Sequence, residues 1–326
     1  MQVKAAGPAA AGPRPRPQPR TRWERRVRPA GSLPPRWRSR TAKGLAYAAP
    51  TAVFVTVFFL LPLLLVGQMS LSDWPLLAGD RGLNAPENYT DATDSTLFWP
   101  AVRFTLLYTG IVTVVLLGLA LGLALLVQES RPGAGFFRTV YFLPGALGLA
   151  SASLLFWGLY SPTTGPLSRV PEELGLVDHP VSFLGTPTSA LLSTVFLIVW
   201  KFAGFYMLIL LVGLQRIPQE VFEAARMDGA SRGQIFRSVT LPLLRPSLAL
   251  TLLLCVTGSL LAFDQFFILT KGGPDNSTVT VVQLIYREAF QRMDLGTAAA
   301  LSITVLAVLL LLNALQFRGL RRTDAS

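Results

Sequence analysis

Lys201 and Asp264 are ionisable side chains that fall inside apolar runs of the sequence. Lys201 stands beside Trp200 near the middle of one run, and Asp264 beside Gln265 toward the end of another. A charge placed there is costly unless it faces the protein interior or water, so Lys201 reads either as a pathway group or as one half of a structural ion pair, with Asp264 as a partner. Tyr206 and Gln265 are singled out with them, because polar groups in apolar helices are expensive without a use. Other reactive types are scarce. His179, the one histidine, reads as a surface residue, and Cys255, the one cysteine, sits in an apolar run without a partner. That excludes a disulfide and argues against a Cys/His metal site. None of the four lysines (Lys4, Lys43, Lys201, Lys271) precedes Ser or Thr, and no G-x-x-x-x-G-K-[ST] occurs, so the chain has no P-loop. Nor is there a nucleophile elbow or a Gly-rich dinucleotide loop, and one histidine offers little acid–base chemistry. No catalytic residue and no metal are expected.

Pro218–Pro246 offers a different chemistry, that of docking. It is a polar, arginine-bearing segment between two apolar runs. Pro218 suits the first turn of a helix, Glu220 and Glu223 lie near its positive end, and Val221, Phe222, Ala225 and Met227 supply an apolar face. Gly229 provides a left-handed stop, and Ser231 with Gln234 has the pattern of a capping box opening a second helix. Ile235, Phe236 and Val239 share a face of that helix, and Leu241-Pro242 is expected to end it. The segment therefore reads as helix, tight turn, helix: an apolar and charged knob outside the membrane.

The elements that position these groups follow from hydropathy. Of 326 residues 51% are apolar and only 14% charged, which a soluble domain of this size would not show. Runs long enough to span a bilayer as helices lie at about 45–68, 102–127, 136–160, 190–214, 247–269 and 296–317. Gly118 and Gly122 form a small-residue pair in the second, and Pro144, Gly145 and Gly148 interrupt the third, as a packing kink or as a bend lining a pathway. Residues 1–43 hold twelve Lys/Arg against Glu24 alone, so the net charge of +11 lies there and the remaining 17 basic and 17 acidic residues balance. Concentrated in a Pro-, Ala- and Gly-rich tail without helical period, this charge reads as a disordered cytoplasmic anchor that meets anionic lipid, not as a nucleic-acid surface. No secretory signal peptide is read, since the apolar run behind the tail is too long. Arg131 and Arg138, then Arg216, Arg226, Arg232, Arg237 and Arg245, then Arg318, Arg321 and Arg322 fall in alternate connections. The first connection between them holds Asp73, Asp80, Glu87, Asp91 and Asp94 against Arg81 alone, and the next holds Glu172, Glu173 and Asp178 against Arg169. By the positive-inside rule both termini and the docking segment are cytoplasmic. The sequons at Asn88 and Asn276 carry little meaning without a glycosylating compartment.

Glu223-Ala224-Ala225, Gly229, Val239 and Leu241-Pro242, at this spacing, resemble the EAA loop of membrane subunits of ABC-type importers, with Val239 where Ile is usual. Phe263 to Pro274, then Thr278, Tyr286, Ala289-Phe290 and Gly296, are similar to the carbohydrate branch of these permeases, the maltose and glycerol-phosphate type. Phe137-Arg138, Leu143-Pro144, Trp157 and Gly165 to Leu167 fit the same branch, so the resemblance covers about residues 45–317. Ser168 stands where Asn is common, and Arg103-Phe104-Thr105 where Asn-Thr is common, departures that bear on the substrate.

The resemblance implies an all-α polytopic protein of the type I importer permease fold: a tail at 1–43, a permease domain at 44–320 with a coupling loop at 215–246, and a cytoplasmic end at 321–326. It implies Glu223 as the charge contact to an ATPase, Ala224 and Ala225 as the close-approach surface, and Gly229 as the turn. Asp228, Ala230, Leu241 and Pro242 would hold the loop's shape. Gly272, Gly273 and Pro274 are expected to turn sharply at the outer membrane edge, as their types suggest in any protein. The implied partners are a second, similar permease in a heterodimer, two ABC ATPase subunits holding ATP and Mg, an extracytoplasmic solute-binding protein, the carbohydrate and the bilayer. The chain itself is expected to bind no cofactor. A stand-alone ion-driven carrier using Lys201 and Asp264 is the rival, and a scaffold acting through the basic tail a third reading.

Overall fold

The computed structural model describes residues 36–128 and 133–323. Most of the basic tail, Arg131 and the last residues of the C-terminal end fall outside them. The chain divides into two units, residues 1–59 and 60–326. In the first, helix α1 (Arg36–Val55) begins inside the basic tail and runs into a wide turn that starts at Thr56. Every side chain from Gly44 to Phe59 is exposed, with Phe54 against Phe58 at 4.8 Å between ring centres. An apolar helix left this bare is a surface for lipid or a partner.

In the second unit all regular elements among the described residues are helical. Helix α2 (Leu61–Met69) completes the apolar stretch Gly44–Met69 and α3 (Glu87–Asp94) is short; α4 (Phe98–Val127) is long and apolar. A bent pair, α5 (Ala134–Phe142) and α6 (Leu149–Leu159), is followed by α7 (Pro166–Glu173) and the long α8 (Pro187–Gln215). The polar segment supplies α9 (Gln219–Met227) and α10 (Arg232–Ile235), which continues into α11 (Leu241–Leu260). The chain closes with α12 (Val281–Phe290) and α13 (Leu295–Thr323).

Helix α8 is the centre of this unit. Over half of its most apolar stretch is buried, 56% against 28% for α4 and 22% for Arg232–Leu260. Leu197, Met207, Leu210 and Leu214 of α8 join Tyr108, Val112 and Leu116 of α4 and Leu244 of α11 in one core. Gly204 lets α5 reach α8: a Cβ there would overlap the Tyr141 carbonyl.

Among the described residues five helices are long and apolar enough to cross a membrane, and a sixth span results if α5 and α6 count as one. That pair turns through 94°, with a 3-10 turn at Leu143–Ala146 and extended backbone at Leu147 and Gly148. Pro144 has no N–H to continue the ladder, and the chain changes direction rather than merely kinking.

The fifth span departs from the stretch read at 247–269. A continuous helix runs Arg232–Leu260, and Leu241-Pro242 does not end it. The wide π turn at Phe236–Thr240, in which the Leu241 N–H donates to the Phe236 carbonyl, absorbs the proline within the helix. Hydropathy marks where the surface turns apolar, not where the helix begins. At the other end the helix stops at Leu260, and Thr280 Oγ1 caps the freed Ala262 carbonyl at 2.8 Å.

Polar side chains tie the connections down. Asn88 is 3% exposed and donates to the carbonyls of Ser72 and Ser70 at 2.9 and 3.1 Å, so this sequon belongs to the interior. Asn276 Oδ1 accepts from Arg287 at 2.7 Å. Ser168 is buried and donates to the Tyr160 carbonyl at 2.9 Å. His179 is exposed.

Candidate coupling segment and interior cavity

Between α8 and α11 the backbone makes a tightly specified corner. Gly229 takes φ +77°, its N–H donates to the Arg226 carbonyl, and the Ala230 N–H reaches back to the Ala225 carbonyl, both at 3.0 Å. These paired bonds form a Schellman stop, and the left-handed residue it needs is the glycine. Ser231 then opens α10 with a reciprocal cap: its N–H donates to Gln234 Oε1 at 2.7 Å, and its hydroxyl accepts from the Gln234 N–H.

Phe222 turns inward against the core, whereas Glu223, Ala224, Arg226 and Asp228 are exposed and Ala225 and Ala230 are half-buried. Met227, read as part of the apolar face of α9, is 87% exposed. A bare methionine amid charged neighbours on a capped knob suits contact with another protein. Leu241 and Pro242 are half-buried at the root of α11.

The second feature is a cavity of about 180 Å³ within the helices. Tyr108 of α4, Phe202 and Tyr206 of α8, Ser259 of α11, and Asp264 and Gln265 beyond it contribute to its wall. Three of the four residues singled out for the pathway therefore meet here. Gln265 is 2% exposed, its Nε2 donates to the Tyr108 hydroxyl at 3.1 Å, and its Oε1 has no partner. An orphaned acceptor in a buried wall is a costly arrangement. Tyr108 is the residue sequence reading missed. Its only signal was a hydroxyl inside an apolar run.

Lys201 has a different place. It is 3% exposed, and its ammonium donates to the carbonyls of Leu147 and of Gly145, the latter at 3.4 Å. Those are the backbone groups freed where α5 and α6 break, and the Phe202 ring lies 4.9 Å from the ammonium. No ion pair joins Lys201 to Asp264 among the described residues, whose ion pairs are Arg169–Glu173 and Arg292–Glu288. The lysine is a cap for a broken helix.

At the far end of the helices from α9, Gly272 takes φ +87°, the Gly273 N–H donates to the Thr270 carbonyl at 2.8 Å, and Thr278 Oγ1 donates to the Gly273 carbonyl at 2.7 Å. The turn at Gly272, Gly273 and Pro274 is thus held on both sides. No cluster of metal-ligating side chains occurs among the described residues.

The chain that carries this helix-turn-helix knob and interior cavity is matched along most of its length by one family. The sequence profile of the binding-protein-dependent transport system inner membrane components matches residues 45–324. The chain belongs to that family. Among its curated relatives is the multiple sugar-binding transport system permease protein MsmF of Streptococcus mutans, 32% identical, with 84% of this chain and 94% of that protein aligned. The diacetylchitobiose uptake system permease protein NgcF of Streptomyces coelicolor is also 32% identical, over 82% of this chain and 79% of its own. In fold, the permease is similar to a chain of a bacterial alginate ABC transporter crystallised with an alginate-bound periplasmic protein. The TM-score is 0.77 at 24% identity, covering 88% of this chain and 97% of that one. The relatives are transporter subunits rather than enzymes, and a stand-alone carrier built on a Lys201–Asp264 pair is not favoured.

Proposed function

We propose that the chain is a permease subunit of an ATP-driven carbohydrate importer in the bacterial inner membrane. Six spans, counting α5–α6 as one, would place both termini and α9 on the cytoplasmic side, in line with the alternating arginines. The transporter would comprise a second, different permease, two ATPase subunits that hold ATP and Mg²⁺, and a solute-binding protein outside the membrane. The carbohydrate cargo is supported by the sugar systems to which MsmF and NgcF belong and by a cavity wall of aromatic rings and hydroxyls.

One observation carries the mechanism. Arg232–Leu260 is a single helix of 29 residues, about 43 Å long, that starts at the capped corner and ends at the cavity. An ATPase that grips α9 and shifts when it binds ATP would move the root of this helix, and with it Ser259 and the Asp264–Gln265 turn. The knob needs only two docked arrangements to bias the helices between inward- and outward-facing states.

Glu223 is assigned the charge contact with the ATPase. Glu223→Ala should lower ATP-dependent uptake about tenfold, the scale of one charge-assisted bond, while insertion into the membrane is unchanged. Uptake at the wild-type rate in the purified, reconstituted complex would remove Glu223 from the coupling contact.

A further inference from the structure

A second cavity, of about 410 Å³, opens at the end of the helices away from α9. Its wall comes from three places: Trp157 on α6, Phe267 and Lys271 around the turn after α11, and Gln283, Tyr286 and Arg287 on α12. The volume is within the usual range of small-molecule sites. Rings set beside polar groups are what a saccharide needs, since its C–H faces stack on aromatics while its hydroxyls seek partners.

The rings also form a continuous row. Phe263, on the wall of the interior cavity, stacks on Phe267 at 5.0 Å and 19°. Phe267 meets Tyr286 edge-on at 5.0 Å, and Tyr286 meets Phe290 at 5.1 Å. The row leads from the inner cavity to the outer one.

Charge narrows the ligand. The lining includes Lys271 and Arg287 and no carboxylate. Arg287 donates to the Asn276 amide oxygen at 2.7 Å and to the Lys271 carbonyl at 3.1 Å, both neutral acceptors, so its hydrogen bonds leave its charge uncompensated. Gln283, 2% exposed, lines the same wall with its Oε1 unpaired. An uncompensated pair of cations favours an acidic ligand, and the unpaired oxygen favours a hydroxyl donor.

We infer that this outer cavity is a binding station for an acidic saccharide unit, stacked on Trp157 and Tyr286, with its acid group toward Lys271 and Arg287. The inference rests on the carbohydrate-importer reading and narrows its substrate class.

Trp157 provides the readout. With the assembled complex in lipid nanodiscs, tryptophan fluorescence would be titrated with glucuronate and with glucose, using Trp157→Phe to identify the signal. Glucuronate is expected to bind at least about tenfold tighter than glucose, the size of one charge-assisted hydrogen bond. Lys271→Gln, at an exposed side chain, should remove most of that preference without loss of folding. Equal affinities, no Trp157-dependent response to either sugar, or a glucuronate preference that survives both Lys271→Gln and Arg287→Gln would overturn the inference. Each of those results leaves the importer reading standing if the same complex still takes up a neutral sugar with ATP.

Discussion

Gly229→Val should leave the protein inserted in the membrane but take ATP-driven uptake down by at least about tenfold. The residue's φ of +77° is one that a side chain with a Cβ adopts at a cost of about 1–2 kcal/mol, more when β-branched. Nothing lies within 4 Å of the position a Cβ would take, so the effect comes from the backbone and not from a clash. That distinction makes a control available. Asparagine tolerates the left-handed region, so Gly229→Asn should retain most uptake where valine loses it. Both variants would be compared by uptake and by the amount of ATPase that stays bound during purification. Full ATPase retention and uptake with valine would mean that the Schellman corner does not matter for docking.

The second large effect is expected at Lys201. Lys201→Met fills similar space but strands the Leu147 and Gly145 carbonyls, each unpaired buried group costing about 1–3 kcal/mol. Removing a buried charge offsets part of this. The net result should be a melting temperature lower by several degrees and a collapse of transport, because the corner between α5 and α6 loses its cap. Lys201→Arg, which keeps the donors, should recover part of both. Thermal unfolding of the detergent-solubilised complex, paired with uptake, reads the outcome. If methionine melts and transports like the wild type, the capping role is wrong.

These two residues also show what a sequence discloses. Gly229, Ser231 and Gln234 were legible because a helix stop and a helix start are local: the groups that bond are within five residues of each other, and few residue types can make the bonds. Pro144 and Gly148 announced a break for the same reason, though not its right angle, which depends on how α5 packs onto α8 through Gly204. Lys201 was legible only as a misfit. Its partners are backbone carbonyls 54 and 56 residues away, and a carbonyl carries no residue type for a sequence to display.

The meeting of Gln265 with Tyr108, 157 residues apart, was hidden likewise. The start of the fifth spanning helix was misplaced because Arg237, Thr240 and Arg245 are polar yet helical. Met227 was read with Val221, Phe222 and Ala225 as one apolar face, and periodicity tells which residues share a face, not whether this chain or another covers it.

The central claim is that this chain is the membrane half of a machine whose energy comes from another subunit. The most direct test is affinity purification of the full chain in mild detergent, with mass spectrometry of what accompanies it. The account predicts an ATPase subunit and a second permease in the same complex, and ATP-dependent uptake once that complex is in liposomes. A well-folded chain recovered alone, moving solute in liposomes without ATP, would contradict it.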